Sequence, residues 1–173
     1  MQAYQSCHEA FVRYCTALAY GKMDTEDLVQ DVLLSAYTHW DKIRNKHQFL
    51  HYLIRAARNR AISLRRKKKY QTELLDKQAD RLCAQGVSPE MALDIQLLYW
   101  ALDQLPAKQK EAVILFEISG FSNKEIAEIQ NSSLSAIKTR ISRGRNKLRD
   151  IMEQKPTTHS IVGILATAKT ILL

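Results

Sequence analysis

Glycine and proline are scarce in this chain, with 5 and 3 in 173 residues, and no run of alternating apolar and polar residues reads as a strand. These absences argue against a sheet protein and leave an all-α fold as the expectation. Cysteine occurs only at Cys7, Cys15 and Cys83. The number is odd and no CxxC or Cys/His spacing accompanies it, so all three read as small core hydrophobes in a reducing compartment. The opening MQAYQSCHEAF lacks the basic flank and apolar centre of a signal peptide, and a cytoplasmic protein is expected. His8, His39, His47, His51 and His159 show no ligand-like spacing among themselves or with the cysteines, and no Ser/His/Asp arrangement stands out. No cofactor, metal or bond chemistry is expected.

What the chain has in excess is positive charge. Its 26 Lys and Arg outweigh 18 Asp and Glu, for a net charge of +8 and a pI near 9.5, which favours a polyanionic partner. The excess sits in two places: six Lys or Arg between Lys138 and Arg149, and eight between Arg55 and Lys69, neither with an acid among them. Phosphate would relieve the repulsion along each stretch. A merely solvated helix face is the plainer alternative for both.

The stretch Gly120 to Arg149 is the most informative. Gly120 can close a helix in the left-handed conformation. Ser122 with Glu125 makes a capping box, and Phe121 with Ile126 occupies the staple positions. A short helix with Ile126, Ala127 and Ile129 on one face should follow, then a polar turn Gln130-Asn131-Ser132-Ser133 and a second N-cap. In the second helix Ile137, Ile141 and Leu148 recur at helical spacing, leaving Lys138, Thr139, Ser142 and Arg143 outside. Two short helices about a tight polar turn form a helix-turn-helix pattern.

Upstream, periodicity predicts a helix from about Gln5 to Tyr20, with Phe11, Cys15 and Leu18 inside and Gly21 ending it. Asp24 should cap a second helix with Leu28, Val32, Leu33, Ala36 and Tyr37 as its inner stripe and Asp27, Gln30, Asp31 and Ser35 on the other side. The acidic side reads equally as capping and solubility. HWDKIRNKH is a basic loop, with Trp40 better read as a core or hinge residue than as a stacking platform. From Gln48 towards Lys68 a third helix buries Leu50, Leu53, Ile54, Ala57, Ala61 and Leu64, with His51, Arg55, Arg58, Asn59, Arg60 and Ser63 opposite. Residues 70–88 lose periodicity and read as a flexible linker with transient helicity. Ser88 and Pro89 start a helix through Met91, Ile95, Leu98, Leu102 and Leu105; Pro106 opens the next, through Val113, Leu115, Phe116 and Ile118.

EDLVQDVLLSAY, FLHYLIRAARNRAISLRR and LDQLPAKQKEAVILFEISGFSNKEIAEIQNSSLSAIKTRISRGRNKLR, in this order, resemble the bacterial sigma factors of the extracytoplasmic-function (ECF) group. The resemblance implies two small helical domains joined by a flexible linker: residues 1–69 for polymerase binding and −10 recognition and melting, 70–88 as linker, 89–155 for −35 recognition, and 156–173 as an apolar tail. It implies core RNA polymerase and promoter DNA as partners, and it allows an anti-sigma inhibitor. By the same resemblance Asp27, Gln30 and Asp31 contact polymerase. Lys42, Arg44, Asn45, Lys46, Arg55, Arg58, Asn59, Arg60, Arg65 and Arg66 handle the −10 element. Ser133, Ser135, Lys138, Thr139, Ser142, Arg143 and Arg145 face the −35 element.

Tyr52 stands where many members have Trp, Ser63 where Asp is common, and Ala136 and Gly144 where Thr and Ala are frequent. A glycine inside the recognition helix predicts fraying of its C-terminal half, since it costs about 1 kcal/mol relative to alanine. The tail's apolar stretch is shorter than the roughly 20 residues that span a bilayer. Packing back on the C-terminal domain or disorder is favoured there over an interfacial helix or a partner-docking segment. A stand-alone helix-turn-helix regulator is the rival function, and a nuclease holding Mg²⁺ on Glu26, Asp27 and Asp31 a more distant one.

Overall fold

The computed structural model describes residues 2–5, 7–42, 49–65, 79–84 and 86–171, with the backbone alone at 2, 3, 42, 64, 65 and 171. Among these residues there is no strand. The elements are α1 (Gln2–Gln5), α2 (His8–Ala19), α3 (Thr25–Thr38), a 3₁₀ turn (Trp40–Lys42), α4 (Phe49–Arg65), a helical segment α5 (79–84), α6 (Pro89–Asp103), α7 (Ala107–Val113), a π-helix (Ile114–Ile118), α8 (Asn123–Ile129), α9 (Leu134–Glu153) and α10 (Ile161–Ile171).

The N-terminal helices α2, α3 and α4 pack on one another around Phe11, Cys15, Leu28, Val32, Leu53, Ile54 and Ala57. The Asp24 carboxylate accepts from the Glu26 and Asp27 N–H groups, and so fixes where α3 begins. Gly21, at φ +66°, ends the turn before it. The first expected helix is α2, which begins at His8 after Cys7 as N-cap and ends at Ala19. Tyr37, assigned to the inner stripe of α3, is 81% exposed, while Leu28, Val32 and Ala36 are buried. At about 100° per residue Tyr37 lies on the side of α3 opposite Leu28, away from α2 and α4.

The C-terminal helices gather around Ile95, Leu98, Leu102, Ile114, Leu115, Ile118 and Ile126. Ser88 caps α6 with Pro89 in its first turn, and Ser122 and Glu125 close a reciprocal capping box on α8. Phe121 and Ile126 are both buried beside it. Ser133 accepts from the Ala136 N–H to start α9. Between the helices Asn131 takes φ +47°, a left-handed conformation that asparagine tolerates.

The linker and the tail carry the helicity and the packing expected of them, whereas Cys83 and Gly144 depart from expectation. Residues 79–84, inside the expected linker, are helical; Leu82 is buried, and Val87 beyond them is buried too. Cys83 is exposed, unlike the buried Cys7 and Cys15. Gly144 does not loosen α9, which runs unbroken to Glu153: it is buried, and a Cβ there would lie 2.6 Å from Val113 Cγ2. Glycine is what lets α9 approach α7. The tail forms α10, which packs on α6 and the π-helix and buries Ile164 and Ala168.

The two halves also lie against each other. Helix α2 packs on the π-helix and α4 on α8, and Tyr20 stacks on Tyr99 with ring centroids 4.0 Å apart.

Candidate nucleic-acid interface

Helix α9 carries its cations outward because Ile137, Ile141, Gly144, Leu148 and Met152 are committed to the core. On the other side Ser133, Ser135, Lys138, Thr139, Ser142, Arg143 and Arg145 are all exposed. Ser133 caps the helix and lies 3.2 Å from the Ser135 hydroxyl, and Thr139 donates to the Ser135 carbonyl at 3.0 Å. Those three hydroxyls therefore serve the first turns of the helix. Lys138, Ser142 and Arg143 have no partner among the described residues and stand free to meet a phosphate or a base edge. A shallow hollow of about 380 Å³ opens beside Lys138 and Ser142, lined in part by Asn146 and Arg149. Neither residue was among the expected contacts, although both continue the four-three spacing from Lys138 and Ser142.

On α4 the expected −10 residues are placed differently. Arg55 is exposed yet turned onto the C-terminal end of α8, donating to the Glu128 carbonyl at 2.6 Å and the Ile129 carbonyl at 3.2 Å. A guanidinium there lies at the negative end of the helix dipole, sharing the Glu128 carbonyl with the Asn131 N–H. Arg58 donates to both oxygens of Glu111 at 3.2 and 3.3 Å. Arg60 donates twice to Asp31 on α3, at 2.9 and 2.7 Å. Asn59 is exposed. Arg44, Asn45, Lys46 and Arg66 lie outside the described residues, as do the side chains of Lys42 and Arg65.

Asp27 and Gln30 are exposed on α3, and half-buried Asp31 spends one oxygen on Arg60. Asp27's own N–H is tied into the Asp24 cap. Among the described residues Glu26, Asp27 and Asp31 do not converge into a group able to hold a metal ion.

Glu111 on α7, which the sequence did not mark, is the polar centre between the halves. It accepts from Arg58, from the Tyr14 hydroxyl at 3.3 Å and from the Gln130 amide at 3.1 Å. Gln130 in turn accepts from Arg140 on α9 at 2.7 Å. A continuous chain of hydrogen bonds thus runs from the helix-turn-helix to α2 and α4. A second bridge joins Lys22 to Asp103 at 2.7 Å, with Lys110 on the same carboxylate. Burial and then the like charge of Lys110 push the Lys22 ammonium down to about 8. His51 Nδ1 lies 3.4 Å from Glu128.

Comparison with known proteins fits this arrangement. Residues 3–70 match the family model for sigma-70 region 2, and residues 95–148 the model for sigma-70 region 4. The chain is 32% identical over 127 residues to the ECF RNA polymerase sigma factor EcfG of Rhodopseudomonas palustris, covering 73% of this chain and 70% of that one. It is 33% identical over 138 residues to the ECF RNA polymerase sigma factor SigW of Bacillus subtilis, covering 73% and 74%. Among solved structures it is similar to the sigma factor RpoE in complex with the anti-sigma factor NepR from Bartonella quintana. There the TM-score is 0.63 and the identity 28%, over 90% of this chain and 97% of that one. These relatives leave the stand-alone regulator without support. The chain belongs to the extracytoplasmic-function group of RNA polymerase sigma factors.

Proposed function

We propose that this sigma factor divides promoter recognition between its two halves. Residues 1–69 engage core RNA polymerase through Asp27, Gln30 and Asp31 on α3 and handle the −10 element with α4 and the segment before it. Residues 89–155 hold the −35 duplex with α9, and 70–88 tether the two. The chain supplies contacts and no bond chemistry, and it acts in the cytoplasm beside polymerase. The observation that carries the −35 assignment is the cationic face of α9, where Lys138, Ser142 and Arg143 are exposed and have no partner among the described residues, on a helix whose other face is core.

The −10 assignment has a structural consequence. Arg55 and Arg58 are held by the helix-turn-helix half, so they reach DNA only after the halves part. The closed arrangement is therefore read as a resting form that polymerase opens. The solved relative bound to an anti-sigma factor supports extending an inhibitor of that class to this chain.

Run-off transcription from a promoter library with core polymerase tests the reading. Initiation from a discrete set of −10/−35 pairs is expected, together with weak duplex binding by the chain alone. Replacing Asp27 and Asp31 by Ala should weaken capture of core polymerase while leaving the fold intact, the lost Arg60 pair on Asp31 costing no more than about 1 kcal/mol. Unaltered capture would show that another face is the handle.

A further inference from the structure

Arg145 differs from its neighbours on the outer face of α9 in being held from two sides. Its Nε–H donates to Glu117, and its guanidinium carbon lies 5.0 Å from the centroid of the Phe116 ring. Both partners come from the π-helix, whose wide turn is seen in the Ser119 N–H bond to the Ile114 carbonyl at 3.0 Å. A π turn shifts the side-chain register, and here two residues adjacent in sequence meet one guanidinium. Glu117 is sheltered, at 18% exposure, while Arg145 is 46% exposed.

The chemistry of the guanidinium gives this arrangement a meaning. Arginine offers five N–H donors in a rigid planar fork. Glu117 takes the Nε–H, and the two terminal Nη groups have no partner among the described residues. What remains is the end of the fork: two parallel donors at the rim of the hollow shared with Lys138, Ser142, Asn146 and Arg149. That edge matches a pair of adjacent acceptors, such as O6 and N7 of guanine in the major groove. Phe116 limits rotation of the plane. The Glu117 carboxylate also offsets the charge of Arg145, so phosphate attracts this arginine less than it attracts Lys138 or Arg143.

We propose that Glu117 is a positioning residue for base reading, fixing Arg145 as an end-on fork for one guanine of the −35 element with Phe116 as its platform. The proposal rests on α9 lying in the −35 major groove. It adds that specificity at one base pair is set by an acid on a different helix, which never touches DNA.

The test is initiation by the reconstituted holoenzyme on a promoter library randomised across −35, with base preference read at every position. Arg145→Ala should flatten one position, losing a discrimination of about 5- to 150-fold. Arg145→Lys should flatten the same position while keeping general affinity, because the charge survives and the fork does not. Glu117→Gln should lower preference at that position at least about 5-fold, leave the other positions and the melting temperature unchanged, and raise initiation from non-matching −35 sequences. Phe116→Leu should weaken the same position less. If Glu117→Gln and Phe116→Leu leave the preference intact while Arg145→Ala flattens it, the positioning role is wrong and the −35 reading stands. If Arg145→Ala flattens no position, Arg145 is not a base reader and the proposal fails at its foundation. A Glu117→Ala variant that fails to fold would not rescue it, since the glutamine and leucine variants decide.

Discussion

Tyr20 and Tyr99 stack across the junction of the two halves, 4.0 Å between centroids and 19° between planes, with both hydroxyls buried and without a hydrogen-bond partner among the described residues. The rings contribute packing to the closed form, while each sealed hydroxyl costs it about 1–3 kcal/mol that water would return on opening. The closed form is thus held by one part of each side chain and penalised by another. Replacing either tyrosine by Phe should stabilise closure by about 1 kcal/mol, shift the distance distribution between fluorophores on α3 and α9 towards the short state, and slow holoenzyme formation. Tyr99→Ala should do the reverse. A Phe variant that opens the chain would mean that the hydroxyls have partners on the closed surface after all.

Gly144 supplies a second, oppositely signed expectation. A methyl at this position would regain about 1 kcal/mol of helix propensity, yet it must displace the fully buried, β-branched Val113 side chain from 2.6 Å. Overpacking of this kind costs about 1–3 kcal/mol, so Gly144→Ala should be destabilising on balance. In a Val113→Ala background the same substitution should become neutral or stabilising, and a double-mutant cycle of urea midpoints measures the difference. Equal effects of Gly144→Ala in both backgrounds would detach the glycine from α7.

What the sequence made legible, and what it did not, follows a physical line. Caps and turns are local chemistry, and Asp24, Ser88, Ser122 with Glu125, and Ser133 all start helices where their residue types say they should. The exposed face of α9 is equally local, since it is what remains once the apolar period is assigned. The π-helix was not legible, because five apolar-rich residues do not distinguish a wide turn from an ordinary one and its packing against α2 and α10 comes from distant chain. The partners of Arg55 and Arg58 lie 53 to 74 residues away and depend on how the halves meet. Glu111 was unmarked for the same reason: a lone acid on a short helix becomes a centre only when three other elements converge on it.

Lys22 gives the junction a pH dependence whose sign can be worked out. Its ordinary value of 10.5 falls to about 8 in the folded chain, through burial first and Lys110 second. Between these values the unfolded chain binds the proton more tightly than the folded one, so this group's contribution to stability rises with pH from about 8 to 10.5 and is least favourable below 8. Lys22→Met removes the titration. Urea midpoints at pH 7.5 and 10 should therefore show wild type gaining on the variant by an amount of the order of 2 kcal/mol. Parallel pH profiles for the two proteins would contradict it.

The attachment of α10 turns on Asp94, a carboxylate only 4% exposed. It accepts the Thr158 N–H at 3.2 Å, the His159 N–H at 2.9 Å, and lies 2.9 Å from His159 Nδ1. Three donors from the tail thus converge on one acid of α6, just before Ile161 begins the helix that buries Ile164 and Ala168. Asp94→Ala strands all three donors, for a loss of about 2–3 kcal/mol, and should speed hydrogen exchange throughout residues 161–171 more than in α8 or α9. His159→Ala should do less, because the two backbone donors keep the carboxylate. Deleting residues 157–173 should bare apolar surface on α6 and the π-helix and raise binding of a hydrophobic dye, whereas Asp94→Ala should raise it only as far as the tail detaches. Exchange in α10 that is unchanged by Asp94→Ala would place the hold of the tail in Ile164 and Ala168 alone.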